Sequence, residues 1–266
     1  MRWRDLESLA AFDTYMASVD ARLRDHGVDI PARPLQACGM VSQECHVSFT
    51  MSSDIFARIH GWFESRYGDR LLIDMNVGKM LVHINEDPFV VTYPLIFGTV
   101  KVEPLRWIEN VTDRLLESLP SDVMEDLLAA IIRGFQAFNE IRSNLPPPLT
   151  ADLDAAPRYA LQRPSAPGLS KWSSQQAAEK TLSAYISRKG GNPRSKPKGG
   201  PPHNLFHLNL LASKVGLPCC EERLLRVVDC SPNVRYPDRV KTTLIDAVLA
   251  NQASILICQH VAAHWT

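Results

Sequence analysis

Hydrophobic and polar positions alternate between two periods along this chain. Leu6, Leu9, Phe12, Tyr15 and Met16 recur at three- and four-residue intervals, which predicts a helix over about 5–24 that Gly27, Pro31 and Pro34 stop. Val41, Cys45, Val47 and Phe49 mostly alternate with polar neighbours and predict an extended segment over 40–51. Ser53-Asp54 then opens a helix to about Arg66, with Ile55, Ile59, Trp62 and Phe63 on its apolar face. After Gly68 the period falls to two. Leu71, Ile73, Met75 and Val77 share one strand face, Gly78-Lys79 is a tight connection to a strand over 80–84, and Asn85-Glu86-Asp87-Pro88 is turn chemistry. Phe89, Val91, Tyr93, Leu95 and Phe97 alternate in a further strand that Pro94 interrupts. Three or four such strands predict an antiparallel β-meander. Helices over 108–118 and 121–144 follow, the second carrying Met124, Leu128, Ile131, Phe135 and Phe138 to cover the meander. Residues 1–144 are thus expected to form an α+β domain.

Six of the 19 prolines fall between Leu145 and Leu169, which predicts a helix-free spacer and a domain boundary at 145–169. Beyond it, residues 170–266 read as helical throughout. Trp172-Ser173-Ser174-Gln175-Gln176 resembles a capping box that opens a helix ending at Gly190-Gly191. His203-Asn204-Leu205 starts a second helix that Gly216-Leu217-Pro218 ends, a third covers about 221–229, and a last long one runs over about 239–263. The last is apolar on two faces, with Val240, Leu244, Ala247 and Val248 on one and Ile245, Leu249 and Leu256 on another, so it is expected at the centre of a bundle.

The formal charge is zero, but the halves differ. Residues 1–156 carry 14 basic and 23 acidic side chains, and residues 157–266 carry 15 and 6. This split fits two domains with different partners, the basic one suited to phosphates; it fits equally an attraction between the halves. The charged start lacks the apolar core of a signal peptide and no apolar run approaches 18 residues, so the expectation is a cytoplasmic protein with no membrane contact. The six cysteines form no CxxC pair and read as reduced thiols, and Cys45-His46 has no second pair at zinc-ligand spacing; no metal or cofactor is expected. In the N-terminal half no P-loop, nucleophile elbow or dinucleotide fingerprint occurs, and its acidic residues read as solvated helix faces; Asp74, Asn76, Lys79 and His83 are the one group there that could line a site.

The C-terminal text carries a resemblance. Gln175-Gln176-Ala177-Ala178-Glu179-Lys180-Thr181-Leu182-Ser183-Ala184-Tyr185-Ile186, then a glycine- and proline-containing loop, then His203-Asn204-Leu205-Phe206-His207-Leu208 and Arg235-Tyr236-Pro237-Asp238, are similar in order and spacing to the HEPN domain over about 170–262. Ser183 stands where that family usually has Lys, and Asn204 where it usually has Asp. The resemblance implies a four- or five-helix up-and-down antiparallel bundle, commonly a homodimer, in a superfamily named for nucleotide binding. Many members are metal-independent ribonucleases of toxin–antitoxin, CRISPR and phage-defence systems that use an Arg-x4–6-His motif. None of the eight histidines here has an arginine five to seven positions before it, so no catalytic residue is assigned.

The leading expectation is therefore a non-catalytic nucleotide- or RNA-binding module. Arg188, Lys189, Arg194, Lys196 and Lys198, in a run with no acidic residue, would contact phosphates, and His203 and Arg235 would add hydrogen bonds. Two alternatives stand beside it: a ribonuclease with His203 or His207 as base and Arg235 or a loop lysine as the cation, and an interaction scaffold whose bundle docks the acidic domain or another protein.

Overall fold

The computed structural model describes residues 3–48, 50, 53–71, 76–96, 101–194 and 204–265. It is mostly helical, with one two-stranded antiparallel sheet among the described residues, and it divides into two compact units, Met1–Asp74 and Met75–Thr266. The expected boundary at 145–169 lies inside the second unit.

The first unit holds three helices, α1 (Leu9–Asp25), α2 (Arg33–Cys45) and α3 (Asp54–Tyr67). Phe12, Met16 and Val19 of α1, Ala37, Cys38 and Val41 of α2, and Ile59 and Phe63 of α3 bury one another. The first half of the extended segment expected over 40–51 is instead the end of α2, while Phe49 and Met51 lie outside the described residues. Val41 and Cys45 are four residues apart, a spacing that suits a helix better than a strand, and with Ala37 and Cys38 they complete a helical stripe. Pro34 sits in the first turn of α2, where its missing N–H costs nothing. Inside this core the Arg33 guanidinium lies 3.2 Å from Asp20 Oδ1, and Tyr67 Oη donates to the other carboxylate oxygen at 2.5 Å.

The second unit begins with β1 (Asn76–Ile84) and β2 (Asp87–Pro94), paired from Asn76↔Pro94 to Ile84↔Asp87. Gly78-Lys79, expected as a connection, is inside β1; Leu71 lies in a 3-10 turn, and Ile73, Met75 and Phe97 are outside the described residues. Among the described residues the meander is a single hairpin. Its two-residue loop puts Asn85 at φ 50° and Glu86 at φ 72°, the left-handed pair that matches the twist of adjoining strands. A lone bridge joins Val91 to Ile108, with Glu109 N–H donating to the Val90 carbonyl. After α4 (Asp113–Glu117), α5 (Ser121–Asn144) covers the sheet at close range. A Cβ on Gly134 would lie 2.0 Å from Tyr93 Oη, and one on Gly78 would lie 2.1 Å from the Phe138 ring.

Residues 145–169 are not a helix-free spacer. They hold α6 (Ala151–Leu161) and the first turn of α7 (Pro167–Arg188). Pro157 forgoes one hydrogen bond inside α6, but the buried stripe of Leu153, Ala156, Pro157 and Ala160 packs that helix on α7 and outweighs the loss. Pro167 suits the first turn of α7, so Ser173, Ser174 and Gln175 are buried mid-helix and form no capping box. The helices α8 (Leu205–Lys214), α9 (Glu222–Val228) and α10 (Leu244–Ala262) complete the unit. Asn204 Oδ1 accepts the His207 N–H at 3.0 Å, so asparagine caps α8 as aspartate would.

By length and composition α10 could cross a membrane, yet 56% of its apolar window is buried within the unit. It touches α5, α6, α7, α9 and both strands. Its contacts with α7 advance together, Ser254 with Ser174, Cys258 with Thr181 and Trp265 with Tyr185. The two longest helices of the C-terminal region therefore run parallel, where an antiparallel bundle was the expectation. Asn251 Oδ1 also accepts the Leu81 N–H at 2.8 Å, and Gln252 Nε2 donates to the Leu81 carbonyl at 2.9 Å, which ties α10 to β1.

Two stability outcomes follow from these contacts. Gly134→Ala should cost about 1–3 kcal/mol in urea denaturation, because the added methyl displaces Tyr93 from a filled core. At the start of α10, Thr243 Oγ1 accepts the Asp246 N–H, and the Thr243 N–H and hydroxyl donate to Asp246 Oδ2 at 2.9 and 2.8 Å. The Thr243 backbone N–H holds the Asp246 carboxyl below its ordinary range. A carboxylate depressed by folding stabilises above its unfolded pKa and loses that effect as pH falls through the folded value. Thr243→Ala should cost about 1 kcal/mol at pH 7; the variant keeps the backbone N–H and loses only the hydroxyl's bonds with Asp246, so the gap to wild type should narrow in part, not fully, below about pH 4.

Candidate nucleic-acid interface

Of the basic residues singled out in the sequence, those described fall at opposite ends of α7. At its C-terminal end a Schellman turn closes the helix: Gly190, at φ +79°, donates to the Ser187 carbonyl and Gly191 N–H donates to that of Ile186 at 2.8 Å. Arg188 and Lys189 stand exposed at this end. The Arg188 guanidinium carbon lies 5.4 Å from the Trp265 ring centroid, and Lys189 Nζ lies 5.6 Å from that of Tyr185. Tyr185 is buried and meets Trp265 at 6.5 Å between centroids, so it backs the half-buried indole from the core side. No carboxylate pairs with Arg188 among the described residues. Arg194 is exposed after the Schellman turn, its backbone N–H donating to Asn192 Oδ1 at 3.0 Å.

Two histidines join this cluster, His260 from the last turn of α10 and His264 just beyond its end. His260 Nε2 lies 2.7 Å from the Pro218 carbonyl oxygen, and His264 Nδ1 lies 2.8 Å from that of His260. Each carries a hydrogen on the nitrogen that faces a carbonyl, and in the neutral ring the other nitrogen, His260 Nδ1 or His264 Nε2, is an acceptor. The rings are 5.0 Å apart. One end of the unit thus gathers two cations, an indole and two imidazoles. Such a set offers charge to phosphates, a face to a base and acceptor nitrogens to a ribose hydroxyl.

Arg235 is elsewhere. Its guanidinium lies 5.0 Å from the Trp172 ring and 5.5 Å from the Tyr236 ring, near the N-terminal end of α7, and its Nε donates to the Pro232 carbonyl. Arg239 stacks on the other arginine's neighbour, 5.1 Å from the Tyr236 ring. At 1.5 Å per residue, Trp172 and Arg188 are about 24 Å apart along the helix, so Arg235 does not join Arg188 and Lys189 in one pocket. Lys196, Lys198 and His203 lie outside the described residues. Of the N-terminal group, Asp74 also lies outside them, while Lys79 pairs with Glu109 at 3.5 Å and Asn76 lends its carbonyl to Arg142 Nη1 at 2.9 Å. Those contacts are structural.

Tyr185, His260, His264 and Trp265 are the members that sequence reading did not assign. Near a chain end, the two histidines are expected to fray. Instead the end is tied, with the His264 N–H donating to the Val261 carbonyl, the Trp265 N–H to that of Ala262, and the His260 ring held on Pro218. The usable signal was the i, i+3 pair Tyr185/Arg188 together with the aromatic residues closing the chain.

All six thiols are free. Burial pushes Cys38 and Cys258 up to about 11 and Cys220 and Cys230 up to about 12, which keeps them protonated and poor nucleophiles. Among the described residues no three His, Cys, Asp or Glu side chains converge on a metal-sized site. No family model, curated protein or solved structure matches the chain.

Cys219 is the one exposed thiol. Brief treatment with iodoacetamide at neutral pH should therefore label Cys219 ahead of the other five, which react fully only after denaturation; peptide mass spectrometry reads the order.

Proposed function

We propose that the C-terminal region is a non-catalytic, HEPN-like module that binds single-stranded RNA or a nucleotide and works as a homodimer, in a toxin–antitoxin or phage-defence setting. The ordered motif set over 170–262 supports the family reading, and the helical character of that region is compatible with it. The parallel course of α7 and α10 is a departure that the reading must accommodate. The observation that carries the binding assignment is Arg188, with no carboxylate partner among the described residues, set against Trp265 at the C-terminal end of α7. Charge there contacts phosphate in any sequence, and the indole stacks on any base, so the predicted preference is for unpaired RNA with weak sequence selectivity. Lys189 and Arg194 extend the cationic surface, and Lys196, Lys198 and His203 follow them in the sequence. Arg235, Trp172 and Tyr236 form a separate secondary contact.

The test is fluorescence anisotropy of a labelled oligoribonucleotide, with ATP as competitor, at two salt concentrations. Affinity should fall steeply with salt. Trp265→Ala should weaken binding by about 1–3 kcal/mol, and Arg188→Ala should reduce the salt slope by about one unit. No binding above background at low salt, or unchanged affinity in both variants, removes the assignment. RNA cleaved by wild type but spared by His207→Ala would replace it with the ribonuclease reading.

A further inference from the structure

The second unit carries a cleft that the RNA reading does not use. Helices α5 and α9 pack on either side of α10 and leave part of its surface uncovered. The space between them is about 400 Å³. Gly134 and Ala253 supply small residues at its base, and Leu224, Val227 and Leu249 form apolar walls. Leu249 is 42% exposed, although it belongs to a helix that is otherwise largely buried. Here lies the second apolar face of α10, and neither neighbouring helix closes over it.

The only charged side chains lining the cleft are Arg133 and Arg223. Arg223 is exposed and pairs with Glu221 at 2.5 Å. Arg133 has no ion pair or hydrogen bond among the described residues. An apolar recess with one uncompensated guanidinium favours a ligand with an apolar body and a single anionic head, because the fork of N–H donors matches a carboxylate. The volume falls near the lower end of small-molecule sites, and a partner helix, about 10 Å across, would need a longer groove.

We propose that this cleft binds a medium-chain organic carboxylate, the alkyl chain against Leu224, Val227 and Leu249 and the carboxylate on Arg133. The site is independent of the cluster around Trp265 and stands whether or not RNA binds there.

Isothermal titration calorimetry of the full chain with sodium dodecanoate, kept below its micelle-forming concentration, tests the assignment. One saturable site is expected. Arg133→Gln should weaken it about tenfold, the loss of one charge-assisted contact. Leu249→Glu, a change at an exposed position, should abolish it by setting a carboxylate in the apolar wall. Dodecanol should bind wild type and Arg133→Gln equally. Absence of saturable binding, or equal dodecanoate affinity in wild type and both variants, overturns the proposal. So does light scattering that finds a wild-type dimer converted to monomer by Leu249→Glu without dodecanoate binding, since a second copy would then fill the cleft.

Discussion

The close approach of α7 and α10 is the constraint on which the second unit depends. Where they meet, the side chains are short: Ser174 and Thr181 on one helix, and Ser254 and Cys258 on the other, all buried. Small side chains let two backbones come near enough for a hydroxyl of one helix to reach the main chain of the next, and Ser254 Oγ donates to the Ser174 carbonyl at 2.6 Å. Thr181 Oγ1 and Cys258 Sγ meet at 3.5 Å in the same seam. A buried hydroxyl without a partner costs about 1–3 kcal/mol, so these pairings specify a register as well as filling space. That register places Trp265 over Tyr185 and so assembles the cationic cluster at the far end.

The sheet is held from both faces by equally close contacts. Gly78 and Gly134 admit Phe138 and Tyr93 into positions that any side chain would occupy, and Tyr93 Oη then reaches Met80 Sδ at 3.6 Å. On the side of α10, Leu81 and Val90 form a smaller cluster with Ala160 and Val248. A hairpin alone is marginal in water. Here helices supply the apolar contact that further strands would otherwise provide, and a single two-stranded sheet suffices.

Element type was legible wherever one period ran for many residues. The α5 stripe, the α3 stripe and the double apolar face of α10 all report helices that exist, and Gly190-Gly191 marks the end of α7 because a left-handed residue is required there. Misreadings arose where local signals compete. Val41 and Cys45 fit either period over a short window. Proline density suggested a spacer, but burial of Leu153, Ala156 and Ala160 depends on α7, which is distant information for a local reading. Ser173 and Gln176 have capping-box spacing, yet Pro167 had already opened the helix. The candidate site was half legible for the same reason. Charge along the chain identified Arg188, Lys189 and Arg194, but whether Arg235 joins them is decided by which end of α7 it meets, and the indole and imidazoles come from the end of α10 and the residues just after it, more than 70 residues beyond Arg188.

The two hydrogen bonds from α10 to Leu81 have a consequence for how this unit can associate. The outward amide and carbonyl of a border strand form a template on which another chain can add itself as a new strand. Asn251 and Gln252 occupy both groups of Leu81, and the Glu109 N–H takes the Val90 carbonyl opposite. Main-chain recruitment is blocked midway along each border of the hairpin. At that point the hairpin is guarded against the strand addition that seeds fibrillar assembly.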